Sequence, residues 1–330
     1  MNYFLAQLVN GITLGGMYAL IALGYTMVYG VLLMINFAHS EMFMSGAYIG
    51  LGTLLLLSSA GTQNAICKVL PFLSFLKSLR TFFTGSTAGL IVLFVIVLAV
   101  AAVLVGCLGM LTERFAYRPL RHAPRLAPLI SALGVSIFLQ NAVLLWIAPN
   151  KPFPSLISVK DLSGKMALGI TPVRVIIVAT SVILLIVLDL FIARTRVGKA
   201  MRATSQDQDA AGLMGINVNS VIALTFFIGP ALGAVAGVFS GIYYGTVTYN
   251  MGFMPGIKSF TAAVIGGIGN LRGAMLGGFL LGFIEAMAQA YGSVIGVPAA
   301  YKDVATFVIL IVILIFRPGG LLGSSVVEKV

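Results

Sequence analysis

Long apolar runs dominate this sequence and determine the class of fold that it can adopt. A helix needs about 20 apolar residues to cross the hydrocarbon core of a bilayer, where its backbone must satisfy its own hydrogen bonds. Continuous runs of this length, unlike short alternating segments, predict helices rather than a barrel. We therefore expect an all-α polytopic membrane protein. Eight spans are predicted, near residues 7–30, 40–58, 88–111, 128–147, 172–193, 220–240, 273–291 and 302–316.

The composition supports this interpretation. Of the 330 residues, 59% are hydrophobic and only 9% are charged, against about 25% charged residues in soluble domains. The polar connections are too short for an appended soluble domain, so residues 1–330 are expected to form one transmembrane domain. The net charge of +11 comes mostly from loops between apolar runs. That distribution indicates membrane topology, with the lipid bilayer and not nucleic acid as partner.

A shorter apolar piece, 254–268, is interrupted by Pro255, Lys258 and the pair Gly266 and Gly267. It is either a ninth span, short or broken, or a re-entrant helix. Lys and Arg accumulate in the loops 112–127 and 194–219, which predicts that both loops are cytoplasmic. The stretch 148–171 and the N-terminus then lie on the outer side. A C-terminus on the inner side requires the short piece to cross.

Motifs for enzymatic chemistry are not found in the sequence. No GxxxxGK followed by Ser or Thr occurs, and the glycines of GGIGNLRG (266–273) lack the strand and helix context of a dinucleotide loop. With two histidines and nine acidic residues in the chain, no metal cluster or catalytic triad is indicated. We expect no enzyme, no metal and no cofactor in this chain. Ion coupling has few candidate groups within the spans.

Polar residues at membrane depth are the candidates for a translocation path. The phrase INFAHSEM, residues 35–42, places Asn36, His39 and Glu41 between the first two spans, and Glu285 lies in span 273–291. Such groups are costly in a bilayer and usually face a cavity or each other. The alternative for the first three is a hydrogen-bonded turn that ends one span and caps the next.

Glycine recurs at every fourth position in the predicted span 220–240 and just beyond it. A row with this spacing removes side chains along one ridge of a helix, so that another helix can cross at close backbone contact. The sequence therefore predicts a helix-packing ridge. Its members are Gly229, Gly233, Gly237, Gly241 and Gly245.

The loop 194–219 contains a small helix of its own. We predict a helix from about Ser205 to Met214, ended by Gly215. Its small residues would leave a shallow apolar surface beside Leu213 and Met214, which favours docking into a groove of another protein. The alternative is a solvated connector.

The amino-acid sequence resembles those of high-affinity, type H permeases of ABC importers for branched-chain and other hydrophobic amino acids. The resemblance extends over nearly the whole chain. It is carried by NGITLGGMYALIALGYTMVYGVLLMINFAHSEMFM, DAAGLMGIN, VIALTFFIGPALGAVAGV, KSFTAAVIGGIGNLRGAMLGGFLLGFIEA, YKDV and RPGGLLG.

The resemblance implies that the eight to nine predicted transmembrane helices, one of them short or broken, form an ABC importer permease bundle in the bacterial inner membrane. It implies four partner subunits: a homologous second permease, two cytoplasmic ATPases that bind ATP and Mg²⁺, and an extracytoplasmic substrate-binding protein. The amino acid would cross by alternating access. The family's EAAxxxG coupling signature stands here as DAAxxxG, at Asp209, Ala210, Ala211 and Gly215. Leu213 and Met214 would join that coupling surface, with Arg202 and Asp209 fixing its register.

Other transport functions remain open at this point. An autonomous secondary transporter or channel for small polar solutes would not need the DAAxxxG helix on the basic side of the membrane. Closely similar ABC permeases carry urea or short-chain amides, and the sequence does not name the solute.

Overall fold

The computed structural model is built almost entirely of helices, and the all-α prediction is confirmed. It describes residues 2–32, 34–69, 80–81, 83, 86–121, 123–124, 126–147, 149–154, 171–292, 296, 298, 301–317 and 319–323. Most of the predicted outer stretch 148–171, namely 155–170, lies outside these residues. The helices are α1 (Asn2–Leu32), α2 (His39–Ser58), α3 (Ala60–Val69), α4 (Thr87–Thr112), α5 (Leu126–Trp146), α6 (Pro172–Arg194), α7 (Arg196–Gln206), α8 (Gln208–Leu213), α9 (Val218–Tyr244), α10 (Phe253–Gly266), α11 (Leu271–Tyr291) and α12 (Lys302–Phe316).

Seven helices of the described chain are long and apolar enough to cross a membrane, and each matches a predicted span. They are α1, α2, α4 with its continuation to Leu120, α5, α6, α9 and α11. The continuation of α4 is a π-helical turn, Glu113–Tyr117, followed by a 3₁₀ turn, Arg118–Leu120. The predicted eighth span, 302–316, is α12. Its 15 residues extend about 22 Å, less than the roughly 30 Å of the hydrocarbon core.

The short helix α10 lies in the predicted ninth segment. The basic end of the bundle holds the start of α9, which follows the loop 195–217, and also the start of α11, where Arg272 bonds Asp189 near the end of α6. The chain between α9 and α11 therefore returns from the far end of the bundle to the basic end, and α10 forms part of that passage. This direction favours a short crossing helix over a re-entrant one.

Two three-residue strands join interhelical connections at the end of the bundle opposite the basic end. β1 (Asn150–Pro152) pairs antiparallel with β2 (Thr246–Thr248). The pairing joins the segment after α5 to the segment after α9, and Tyr48 Oη of α2 donates to the carbonyl of Pro149 in the same region.

Small residues set the distances between the central helices α1, α2, α9 and α11. A side chain at Gly15 would meet the backbone of Phe279 in α11, and one at Gly46 would meet Ala234 in α9. Close backbone approach of this kind is how helices associate in lipid, where apolar burial gives no driving force between them.

Four glycines of the predicted ridge in α9 allow close contacts with other parts of the chain, and the fifth caps the helix. Gly229 faces Gly24 of α1, Gly233 faces His39, Gly237 faces the Phe43 carbonyl of α2, and Gly241 faces Phe153. Gly245 departs from this row, because a side chain there would meet no atom within 4 Å. Its φ of +70° lies in the left-handed region, and it caps the C-terminal end of α9.

Candidate functional site

The break between α1 and α2 turns the chain inside the protein. Residues 34–38 separate the two helices, and the turn is closed by bonds from His39 N to the Asn36 carbonyl (3.1 Å) and from Glu41 N to the Ala38 carbonyl (3.1 Å). Asn36, His39 and Glu41 are all buried. The hydrogen-bonded turn of the second alternative is therefore present, and it also brings three polar side chains into the interior. Their place in a translocation path stays a prediction.

Partners from distant helices hold these three side chains. Tyr117 Oη in the π-helical turn donates to Asn36 Oδ1 at 2.7 Å. Glu41 Oε1 accepts from Ser136 Oγ of α5 at 3.3 Å. The His39 ring packs edge-on against Tyr25, with ring centres 4.7 Å apart. Neither Tyr117 nor Ser136 is evident from sequence, since 81 and 95 positions separate each from its partner.

Four buried atoms of this cluster have no hydrogen-bond partner among the described residues, namely Asn36 Nδ2, both ring nitrogens of His39, and Glu41 Oε2. Buried polar atoms in proteins are nearly always paired, and each unpaired one costs about 1–3 kcal/mol. Atoms that retain bonding capacity in an otherwise closed interior are suited to a polar solute or water that passes between the helices.

Glu285 is the centre of a second polar cluster. Its carboxylate is 1% exposed and accepts from Tyr18 Oη of α1 at 2.8 Å and from Lys258 Nζ of α10 at 2.8 Å. Lys302 Nζ, at the start of α12, lies 3.1 Å from the same carboxylate. Lys258 Nζ also lies 2.6 Å from Asp303 Oδ1.

We name Lys258, Glu285, Lys302 and Asp303 the charge quartet. It carries two positive and two negative charges, and this balance explains how Lys258 and Glu285 can be buried as ions. Sequence analysis identified Glu285 as a path candidate and Lys258 as an interruption of an apolar piece. It missed Lys302 and Asp303, although both fall in the phrase YKDV that carried part of the resemblance.

The loop 194–219 folds into two helices, and the prediction of one helix from Ser205 to Met214 is wrong. α7 ends at Gln206, and α8 begins at Gln208. The break is at Asp207, whose Oδ1 accepts from the backbone N–H groups of Asp209 and Ala210, both at 2.9 Å. An acidic side chain bonded in this way is a favoured helix N-cap, so Asp207 starts a new helix.

The C-terminal end of α8 follows the predicted pattern. Gly215 has a φ of +83°, the Ile216 N–H donates to the Ala211 carbonyl, and the Gly215 N–H donates to the Gly212 carbonyl. This pair of bonds is a Schellman motif, which fixes the end of the helix.

The side chains of α8 divide into an outer and an inner set. Leu213 is 90% exposed and Met214 is 83% exposed, and Asp209 and Ala210 are exposed beside them. Ala211 is buried against the rest of the chain. Gln208 Nε2 donates to the Val31 carbonyl of α1 at 2.7 Å, which ties α8 to the end of that helix.

Arg202 occupies a different place from the other residues of the predicted coupling surface. Its guanidinium donates to the Ile192 carbonyl at 2.9 Å, near the C-terminal end of α6. The bond satisfies a carbonyl group that the helix end leaves without an internal partner. Arg202 therefore fastens α7 to α6 within this chain.

A cavity of about 480 Å³ lies between the end of α1, the π-helical turn and the start of α5. Tyr29, Tyr117, Arg121 and Gln208 contribute its polar lining. Tyr117 is the residue that binds Asn36, and Gln208 is the residue that ties α8 to α1. The cavity is thus lined both by a residue that bonds Asn36 and by a residue of α8 in the predicted cytoplasmic loop.

Comparisons with known proteins agree on one family. Residues 7–314 match the family model described as branched-chain amino acid transport system, permease component. The chain is 43% identical to the high-affinity branched-chain amino acid transport system permease protein BraD of Pseudomonas aeruginosa, over 99% of this chain and 98% of the relative. The identity to the permease LivH of Escherichia coli strain K12 is also 43%, over the same shares.

A more distant relative has a different named solute. The autoinducer 2 import system permease protein LsrC of Enterobacter sp. strain 638 is 29% identical over 58% of this chain and 55% of its own length. No solved structure matches the chain.

Proposed function

We propose, because this chain belongs to the family of permease components of branched-chain amino acid transport systems, that it carries branched-chain and other neutral hydrophobic amino acids through the bilayer by alternating access in an ATP-driven importer. The chain is a multi-pass protein of the inner membrane. Its proposed partners are a homologous second permease, two ATPases and an extracytoplasmic binding protein.

The sequence of this chain indicates which steps of transport belong to it and which belong to its partners. Its relatives are transport permeases and not enzymes. We assign nucleotide chemistry to the partner ATPases, which would bind ATP and Mg²⁺, because this sequence contains no phosphate-binding loop. Residues 1–330 act as a single permease domain, and the segment 194–219 is its coupling loop.

The exposed apolar end of α8 is the observation that carries the proposal. Leu213 and Met214 are almost fully exposed, on a loop whose basic residues predict a cytoplasmic position. Their helix is fixed at both ends, by the Asp207 cap and by the Schellman motif. A rigid helix that presents two large apolar side chains to water is suited to insertion in a groove of a partner protein. We assign that groove to an ATPase subunit.

Three connections would transmit a movement of α8 to the spans. Gln208 of α8 bonds the Val31 carbonyl of α1. Asp207 alone separates α8 from α7, whose Arg202 bonds the Ile192 carbonyl of α6. Only residues 214–217 separate α8 from α9. A force on α8 therefore acts on three membrane helices, which is what ATP-driven alternating access requires of a coupling element.

The first test is uptake of labelled leucine by proteoliposomes. They would contain this chain, its sister permease, both ATPases and the binding protein, with or without internal ATP. We expect uptake only when ATP and every subunit are present. Gradient-driven uptake by this chain alone would overturn the proposal in favour of an autonomous transporter. Labelled urea and short-chain amides are tested in parallel to distinguish solute classes.

The second test concerns the docking surface. Leu213→Asp removes an apolar anchor and adds a charge that the partner groove would have to desolvate, which costs several kcal/mol in a buried interface. We expect at least a tenfold loss of ATP-dependent uptake and loss of the ATPase subunits during purification of the complex. Gln206→Glu adds the same charge to an exposed position of the same loop and is the matched control. Normal uptake by Leu213→Asp would refute the assignment.

A further inference from the structure

The charge quartet combines a buried pair with a partly exposed pair. The side chains of Lys258 and Glu285 are 5% and 1% exposed, and those of Lys302 and Asp303 are 29% and 28% exposed. The buried pair lies on the two helices that flank the turn 267–270. The outer pair belongs to the first turn of α12.

The outer pair presents opposite charges from neighbouring positions. The Lys302 ammonium group contacts the Glu285 carboxylate at 3.1 Å, and the Asp303 carboxylate contacts the Lys258 ammonium group at 2.6 Å. A free α-amino acid also carries one ammonium group and one carboxylate close together, since both are attached to the same carbon. The start of α12 therefore offers the buried pair the same chemical groups as an amino acid would.

We infer that Lys258 and Glu285 form a binding site for the charged ends of the zwitterionic amino acid, and that Lys302 and Asp303 occupy this site when the amino acid is absent. The inference rests on the proposed function, since it concerns the solute of that importer. Lys258 binds the α-carboxylate, and Glu285 binds the α-ammonium group. Both outer side chains are partly exposed at the surface of the chain, so they have room to leave the site.

The physical need for such a site comes from desolvation. A free amino acid at membrane depth must exchange the water around both of its charges for protein groups, because an unpaired charge there costs several kcal/mol. Lys258 and Glu285 are an opposite pair in the described membrane-embedded part of the chain, and their contacts with α12 show that each can serve a second partner. Tyr18 Oη holds the other Glu285 oxygen at 2.8 Å and so orients the carboxylate.

The arrangement predicts selectivity for both charged ends. Leucinamide lacks the carboxylate that Lys258 would bind, and 4-methylpentanoate lacks the ammonium group that Glu285 would bind. Each charged hydrogen bond is worth about tenfold to 150-fold in affinity. Leucine should therefore bind at least tenfold more tightly than either analogue.

The experiment measures binding of these three compounds to the assembled complex of permeases and ATPases in nanodiscs. The binding protein is omitted because it has a specificity of its own. The double variant K302Q/D303N removes the competing pair and leaves Lys258 and Glu285 paired with each other, so it should bind leucine severalfold more tightly than the parent complex. Lys258→Gln in that background should reduce the preference for leucine over leucinamide by about tenfold or more.

Arg272→Gln is the control, because it removes a charge from an exposed position of the same helix as Glu285. It should leave all three affinities unchanged. An unaltered leucine affinity in the double variant, or an unaltered ratio of leucine to leucinamide with Lys258→Gln, overturns the inference. If the Lys258 variant does not assemble, the double variant alone decides, since both of its changes lie at partly exposed positions.

The inference and the proposed function fail in distinguishable ways. One outcome is that the wild-type importer takes up leucine with ATP while the variants show an unaltered leucine affinity or an unaltered ratio of leucine to leucinamide. In that case only the assignment of the binding site to Lys258 and Glu285 is wrong, and the proposed function stands. If the complete wild-type importer does not take up leucine, the proposed function is wrong, whatever the nanodisc complex binds.

Discussion

Gly46→Ala is expected to destabilise the protein through one methyl group at the crossing of α2 and α9. A Cβ atom at Gly46 would lie 2.6 Å from both the Cβ atom and the carbonyl oxygen of Ala234, and closer still to its Cα atom. Two backbones meet at this point, and no flexible side chain can move aside. Gly52 lies six residues further along the same helix, and a Cβ atom there would meet no atom within 4 Å.

The magnitude follows from two opposing contributions. Replacing a helical glycine by alanine stabilises a helix by about 1 kcal/mol, and this is the whole effect expected for Gly52→Ala. Overpacking costs about 1–3 kcal/mol, and the rigid backbone contact at Gly46 places it at the upper end of that range. Gly46→Ala should therefore lower the free energy of unfolding by about 2 kcal/mol. The two variants should differ by about 3 kcal/mol, a factor of more than 100 in the unfolding equilibrium.

The measurement is SDS titration of both purified variants and the wild type in the same mixed micelles, followed by circular dichroism. The expected order of stability is Gly52→Ala, wild type, Gly46→Ala. Because the two substitutions are chemically identical and lie on one helix, the difference between them isolates the packing at the crossing. A Gly46→Ala variant as stable as Gly52→Ala would refute the close contact between α2 and α9.

Two further predictions concern single hydrogen-bond groups. Asp207→Ala removes the side chain that bonds the N–H groups of Asp209 and Ala210; it should weaken α8 by about 1 kcal/mol and lower ATP-dependent uptake, while Asp207→Asn keeps the cap and should retain uptake. Tyr117→Phe leaves Asn36 Oδ1 buried without its donor and should lower the free energy of unfolding by about 1–3 kcal/mol, measured by the same titration; no loss of stability would contradict the buried bond.

Span boundaries could be predicted because they depend on local chemistry. The predicted segment 172–193 coincides almost completely with α6, since Pro172 suits the first turn of a helix and Arg194 ends the apolar run. The predicted segment 7–30 is too short for α1, which extends over Asn2–Leu32. Its first turns contain Asn2 and Gln7, and such polar residues lower the hydropathy without interrupting the helix.

The break at Asp207 was predictable in principle. Asp is a preferred N-cap, and the acid at position 209 suits the first turn of a helix. Ser205 is an equally good cap by residue type, so the residue preferences alone did not decide between the two starts. In the structure Ser205 Oγ donates to the Arg202 carbonyl within α7, whereas Asp207 Oδ1 accepts from the N–H groups that begin α8.

Long-range partners could not be predicted from one sequence. Lys258 and Asp303 are 45 positions apart, and Tyr18 and Glu285 are 267 positions apart. The cost of burying a charge does require that Lys258 has an acidic partner if it lies within the bilayer. That requirement does not select among Glu41, Glu285 and Asp303, because the choice depends on which helices are neighbours.

Helix α1 links the charge quartet to α8 in the proposed coupling loop. It is continuous from Asn2 to Leu32, and it carries Tyr18, which bonds Glu285, and Val31, whose carbonyl accepts from Gln208 of α8. These two positions are 13 residues apart, or about 20 Å along the helix axis. A helix is stiff over that length, so a tilt imposed on α1 by α8 also displaces Tyr18. Because Tyr18 bonds the Glu285 carboxylate, we expect a movement of α8 in the predicted cytoplasmic loop to change the geometry of the buried charges through α1 alone.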